Sequence, residues 1–313
     1  MSRDGSLAGI RVASAPCSFG VDEVIVHDIW MPEPEEMLDW MVELDYLGTE
    51  LGPPGFLGGG VRMGERLRAR GLEFIGTFLP QTFDDDARCA EDREWMAGLL
   101  ADLRLGLPEG ATPFAVLSAA IDNPLRLQAA GRLDVRPDAL LSDAGWSTLI
   151  SNLHRSADRA RSLGFEPVIH PHAGTYLETA AEIDRLVNAM DPSIVGLCLD
   201  TGHFRFGGAV PAQALRDYAS VVRHVHVKDC RIAVLEDVVA RGEDVVAALA
   251  GGVFSPLGEG NADIPAVVEA LAETGYDGWV VVEQDQFLAF EVTRDDVVAG
   301  QRANRAYLRA LGL

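Results

Sequence analysis

Basic residues are scarce in this chain of 313: Lys+Arg total 26 against 48 for Asp+Glu, a formal charge of −22. A polyanion partner needs a cationic footprint, so the balance argues against nucleic acid, and the acidity itself serves solubility. Cysteine is also sparse. Cys17, Cys89, Cys198 and Cys230 show no C-x-x-C spacing, which argues against a disulfide framework and for free thiols in a reducing cytoplasm. No apolar run approaches the length of a membrane span, and MSRDGSLAGI lacks the apolar segment of a signal peptide. A cytoplasmic protein with no membrane partner is therefore expected. No G-x-G-x-x-G follows the first apolar run, and the Walker pattern with its lysine is missing, so neither usual nucleotide fingerprint is present.

What is abundant is apolar: 48% of residues are hydrophobic, enough for a large core. Short apolar runs alternate with stretches of helical period. Strands are expected at 9–15, 47–51, 73–79, 113–119, near 165–170, 194–200, 221–227 and 278–283. Helices are expected between them, including 84–103, one capped by Ser142 and running to Leu163, 179–190, 211–219, 232–250 and 264–274. Residues 120–140 read as irregular. Eight strand–helix pairs with no linker or composition break predict one (β/α)8 TIM barrel over residues 1–313. Apolar surface on its outer helices could support a homo-oligomer.

Three of the strand runs end in ionisable groups: FEPVIHPHAGTYLET, IVGLCLDTGHFRFGG and VVRHVHVKDC. The strand period of two puts His170 with His172, Asp200 with Cys198, and His224 with His226 and Lys228 on common faces. In a barrel the strand ends meet at one mouth. Glu50, His170, His172, Asp200, His203, His226, Lys228, Asp229 and Glu283 would then converge. Imidazoles mixed with carboxylates suit a divalent transition metal, Mn, Co, Zn or Fe, better than Mg or Ca, which prefer all-oxygen shells.

The stretches GTELGPPGFLG, HPHAGTYLET, CLDTGHFRFGG, HVHVKD, PLGEGNADI and GWVVVEQD resemble the xylose-isomerase-like TIM-barrel superfamily of sugar phosphate isomerases and epimerases. Within it they are most similar to the inosose dehydratase branch of inositol catabolism. The Asp200/His203 pair, the His226–Lys228–Asp229 run and Glu283 carry the resemblance, which implies metal ligation by Asp200, His226 and Glu283. Many members have a glutamate after the fifth strand where this chain has His170. The fourth ligand is thus open between His170, His172 and Glu178, and His170 is the preferred choice.

The resemblance implies a metal-dependent lyase that dehydrates a cyclic keto polyol through an enolate. The alternative is a keto-sugar isomerase or epimerase, or a lyase eliminating from a 3-keto glycoside, on the same site. His172 and His203 are candidate acid and base, since imidazole titrates in the useful range. Orienting a ligand is their competing role. Lys228 is read as stabilising the enolate or pairing with Asp229, and Glu50 as base or substrate anchor. Gly258 and Gly260 either bring the loop close to substrate or belong to an ordinary loop, with Asn261 or Asp263 capping the next helix. Phe56, Tyr176, Phe204 and Phe206 are candidates to wall a sugar ring or to pack the core.

Overall fold

The apolar runs and amphipathic stretches resolve into a closed ring of eight parallel strands. The structure is a computed structural model that describes residues 7–21, 31–131, 133, 136–285 and 293–313. The barrel strands are β1 (Arg11–Ser14), β2 (Gly48–Glu50), β3 (Glu73–Gln81), β4 (Phe114–Ala119), β5 (Glu166–Ile169), β6 (Gly196–Asp200), β7 (Val222–Val227) and β10 (Trp279–Val282). Strands adjacent in sequence pair in turn, and β10 closes the ring against β7 and β1. Burial on both faces explains why β10 is the unbroken apolar run WVVV.

The helices are α1 (Pro34–Glu43), α2 (Gly60–Arg68), α3 (Asp86–Arg104), α4 (Pro124–Ala129), α5 (Asp143–Ser162), α6 (Ala180–Ala189), α7 (Thr201–Phe206), α8 (Pro211–Asp217), α9 (Ile232–Arg241), α10 (Val245–Ala250), α11 (Ile264–Thr274) and α12 (Arg294–Ala310). Their starts follow local chemistry. Ser142 caps α5 through the N–H of Gly145, and Thr179 with Glu182 forms a capping box on α6. Asp263, in the left-handed region at φ 54°, caps α11.

Three expectations need correcting. Residues 120–140 are not wholly irregular: Asn123 caps the short helix α4, accepting the N–H groups of Leu125 and Arg126. The expected helix 232–250 is two helices, because Gly242 turns left-handed at φ 71° and Asp244 caps a new start. Before and after this pair lie β8 (Asp229–Cys230) and β9 (Phe254–Ser255), an antiparallel ribbon outside the barrel. Finally, α7 begins immediately after β6, ahead of the helix expected at 211–219. Residues 1–6 of the stretch read for a targeting signal lie outside the described residues.

The α9–α10 excursion packs its own small core, with Leu235, Val238, Val245 and Ala248 against Phe206 and Phe254. It stands over the C-terminal mouth of the barrel. No helix among the described residues is long and apolar enough to cross a membrane.

Candidate metal centre

Local folding spends one oxygen of Asp200 and leaves the other. As the last residue of β6 it caps α7, its Oδ1 accepting from the N–H of Gly202 (2.8 Å) and His203 (3.0 Å). The D-x-x-H spacing thereby sets His203 one helical turn above its aspartate. Asp200 Oδ2 faces the barrel axis. His170 Nε2 lies 3.5 Å from it and His226 Nδ1 3.8 Å, and Glu283 Oε2 is 3.2 Å from the same Nδ1.

Burial makes this convergence costly. His170 Nε2, Asp200 Oδ2 and His226 Nδ1 are buried with no hydrogen-bond partner among the described residues, and each such group forfeits about 1–3 kcal/mol. The cost is recovered if a cation takes their lone pairs. Two ligands at about 2.1 Å from one tetrahedral ion sit about 3.4 Å apart, which the separations of 3.2–3.8 Å match. The residues present fit a divalent ion with mixed nitrogen and oxygen donors. Asp200, His226 and Glu283 form one compact donor group, and His170 joins Asp200 and His203 in another.

Lys228 is the only lysine in the chain; every other basic residue is arginine. Its Nζ lies 3.0 Å from both oxygens of Asp285, 3.0 Å from Glu283 Oε2 and 3.4 Å from Asp200 Oδ2. A compact ammonium can serve three carboxylates converging from different directions, where a planar guanidinium cannot. Gly202 makes room, because a Cβ there would stand 2.6 Å from Lys228 Cγ. Burial alone would lower the lysine pKa, but Asp200, Asp285 and Glu283 hold it well above its ordinary value. Burial likewise opposes ionisation of Asp200, yet Lys228 and the neighbouring imidazoles keep its carboxyl well below the usual range. Glu283 is held low against burial by His226 and Lys228. Lys228 is therefore a fixed cation and not a nucleophilic amine.

Beside this cluster the His172 and His203 rings lie with centres 3.8 Å apart and planes tilted by 35°. His172 Nδ1 lies 2.8 Å from the carbonyl of Ala173, which only accepts, so the ring proton is there and Nε2 is bare. His203 Nδ1 accepts the N–H of Ala173 (3.2 Å), and its Nε2 lies 3.3 Å from the Lys228 ammonium, which only donates, so both ring nitrogens face donors. Desolvation, then His170 and Lys228, push the His172 pKa down to about 3. Desolvation, His172 and Lys228 also lower His203. Both rings are neutral near pH 7.

These groups floor a cavity of about 340 Å³. Its floor holds Glu50, His170, His172, His203, His226, Lys228, Glu283 and Asp285, and its upper wall is apolar, with Phe78, Ile121, Leu127, Val245, Val246 and Leu249. All eight residues proposed from sequence as ligands or catalysts line this cavity except Asp200, which lies just beneath.

Several other readings change. Asp229 does not pair with Lys228: its carboxylate accepts the N–H groups of Cys230, Gly258, Gly260 and Ala262. The glycine-rich loop thus wraps an aspartate and does not line the cavity, and a Cβ on Gly260 would meet Asp229 Oδ1 at 2.3 Å. Glu178 is no ligand, because its oxygens take the N–H groups of Gly131 and Gly174. Phe204 and Phe206 are buried in the core, Tyr176 bonds Asn123, and none of these, nor Phe56, walls the cavity. Glu50 has one oxygen engaged by two imidazoles, so a base role is poorly served. Asp285 was missed, although its place two residues beyond Glu283 puts it on the same face.

A profile of the xylose isomerase-like TIM barrel family matches residues 115–310. The chain is 32% identical over 287 residues to an inosose dehydratase of Geobacillus kaustophilus (strain HTA426), spanning 88% of this chain and 87% of that one. Among solved structures it is similar to the IOLI protein with a bound zinc atom, at a TM-score of 0.68 and 14% identity over 96% of this chain and 98% of the other. It is also similar to the 3-keto-D-glucoside 4-epimerase YcjR from E. coli, at a TM-score of 0.61 and 17% identity over 97% and 99%. The last two likenesses speak to fold. The chain belongs to the xylose isomerase-like TIM barrel family. Its relative over nearly the full length is a dehydratase, as the sequence motifs led one to expect.

Proposed function

We propose that this protein is a metal-dependent lyase that removes water from a cyclic keto polyol of the inosose type. The observation that carries the reading is the trio of partnerless buried donors, His170 Nε2, Asp200 Oδ2 and His226 Nδ1, facing Glu283 at ligand spacing. The dehydratase relative over 88% of the chain supports the substrate class. His170, Asp200, His226 and Glu283 would hold the ion, with Mn, Co or Zn suited to the donors. When bound, a divalent cation would supply Lewis acidity for a ketone and stabilise the enolate.

The remaining work falls to the chain's own groups. Loss of the proton beside the ketone requires a bare lone pair, which His172 presents at Nε2. Departure of hydroxide one carbon further requires a proton, and the Lys228 ammonium carries one beside His203 Nε2. Lys228 also balances part of the charge of Asp200, Glu283 and Asp285. The apolar wall above excludes water from the reacting carbon.

Metal-loaded protein incubated with scyllo-inosose is expected to yield an enone-absorbing product with loss of one water. Solvent deuterium in recovered substrate, without dehydration, would instead assign the site to isomerisation or epimerisation. No turnover and no exchange would overturn the reading.

A further inference from the structure

Below the metal centre the barrel interior holds a second buried set that the proposed chemistry does not use. Glu50 ends β2, and its Oε1 lies 2.8 Å from His224 Nε2 and 3.1 Å from His226 Nε2. His224 and His226 alternate along β7 and point to the same face. The His224 ring is clamped by Phe114, with centres 4.3 Å apart and planes 25° from parallel. Its Nδ1 has no hydrogen-bond partner among the described residues, so Glu50 holds it by Nε2. All three side chains are buried.

An ionised carboxylate only accepts hydrogen bonds. Both imidazoles must therefore donate, and each carries its proton on Nε2. For His226 the consequence reaches the metal centre, because its lone pair is then confined to Nδ1, the atom facing Asp200 Oδ2 and Glu283 Oε2. The reverse tautomer would aim a proton at the ion and a lone pair at Glu50. We infer that Glu50 and His224 are positioning residues that fix His226 as its Nε2–H tautomer, Glu50 by accepting the proton's bond and His224 by pinning Glu50's shared oxygen. This rests on the metal-centre reading above but adds two residues outside the proposed ligand set, of which Glu50 also borders the cavity floor.

The trio could instead hold a second ion, since its donor atoms are mutually close. The 2.8 Å contact argues for a hydrogen bond, because two ligands of one tetrahedral ion stand about 3.4 Å apart.

The test uses the full chain loaded with one Zn²⁺ and ¹⁵N-labelled at histidine. Long-range ¹H–¹⁵N spectra, with His226 assigned from the His226→Gln variant, are expected to show its proton on Nε2 and zinc on Nδ1. Zinc affinity is then measured by chelator competition. Glu50→Ala and His224→Phe, the latter keeping an aromatic ring against Phe114, are expected to bind about 10–100-fold more weakly. Glu50→Gln, which retains an accepting oxygen, is expected to recover much of the loss. Zinc on Nε2 of His226, or unchanged affinity in Glu50→Ala, overturns the inference. So does a second zinc per chain that His224→Phe abolishes. Asp200→Ala separates the layers: if it also keeps full affinity the metal centre itself is wrong, whereas if it alone loses zinc only the tautomer inference fails. Should Glu50→Ala not fold, the wild-type spectrum still decides.

Discussion

Asp200 and Asp229 invite comparison, since one ends a barrel strand, the other lies just beyond one, and both are buried. Asp229 is saturated. Four backbone N–H groups at 2.9–3.0 Å fill its two oxygens and fold the 258–262 loop around it. Asp200 is half spent: Oδ1 caps α7, while Oδ2 has only the charge of Lys228 at 3.4 Å and the lone pairs of its neighbours. A buried carboxylate whose oxygens are all paired is a structural joint. One with an oxygen left over, among other unpaired donors, is prepared for something the chain does not itself contain.

The sharpest way to break this contrast is to exchange the consequences. Asp200→Ala is expected to empty the site by elemental analysis and reduce turnover at least about a thousandfold, while costing the chelated protein no more than the lost cap of α7, about 1 kcal/mol. Asp229→Ala is expected to keep the ligand set but lose about 3–5 kcal/mol, because several backbone donors lose their acceptor. If Asp229→Ala proved as stable as wild type and metal-free, the contrast would be inverted.

Lys228→Arg comes next. It preserves charge but replaces a point donor with a fork, and about a hundredfold to thousandfold loss of kcat is expected. Wild-type turnover in that variant would mean that only net charge matters. Chelation should abolish turnover reversibly, with restoration by Mn, Co or Zn. It should also lower the melting point, since an ion at a thousand times its Kd contributes about 4 kcal/mol. A chelated protein of undiminished activity would refute the metal centre.

A pH titration by NMR is a finer probe. With its pKa pushed down to about 3, the metal-free His172 ring is expected to show no midpoint between about pH 5 and 8, where an unperturbed imidazole would titrate. The smallest effect belongs to Glu178→Gln. Its two oxygens each accept a backbone N–H, so an amide nitrogen in place of one of them should cost about 1–3 kcal/mol of stability and leave metal content unchanged.

Much of this was legible in the chain. Eight apolar runs of strand length, separated by helical periods and ending in ionisable residues, pointed to a barrel with those residues at its mouth, because strand direction places every C-terminal end on one rim. Parity along β7 grouped His224, His226 and Lys228, and the D-x-x-H spacing joined Asp200 to His203. The sole lysine was a further signal that composition offered.

What linear pattern could not assign was which oxygen of each carboxylate is already used. Asp229 and Asp200 look alike as letters, and only the approach of the 258–262 loop spends one while α7 leaves the other half free. The apolar wall was equally hidden, since Val245, Val246 and Leu249 belong to an excursion whose path depends on a break at Gly242. Hydrogen bonds between distant segments are settled by packing, and packing is a property of the whole chain.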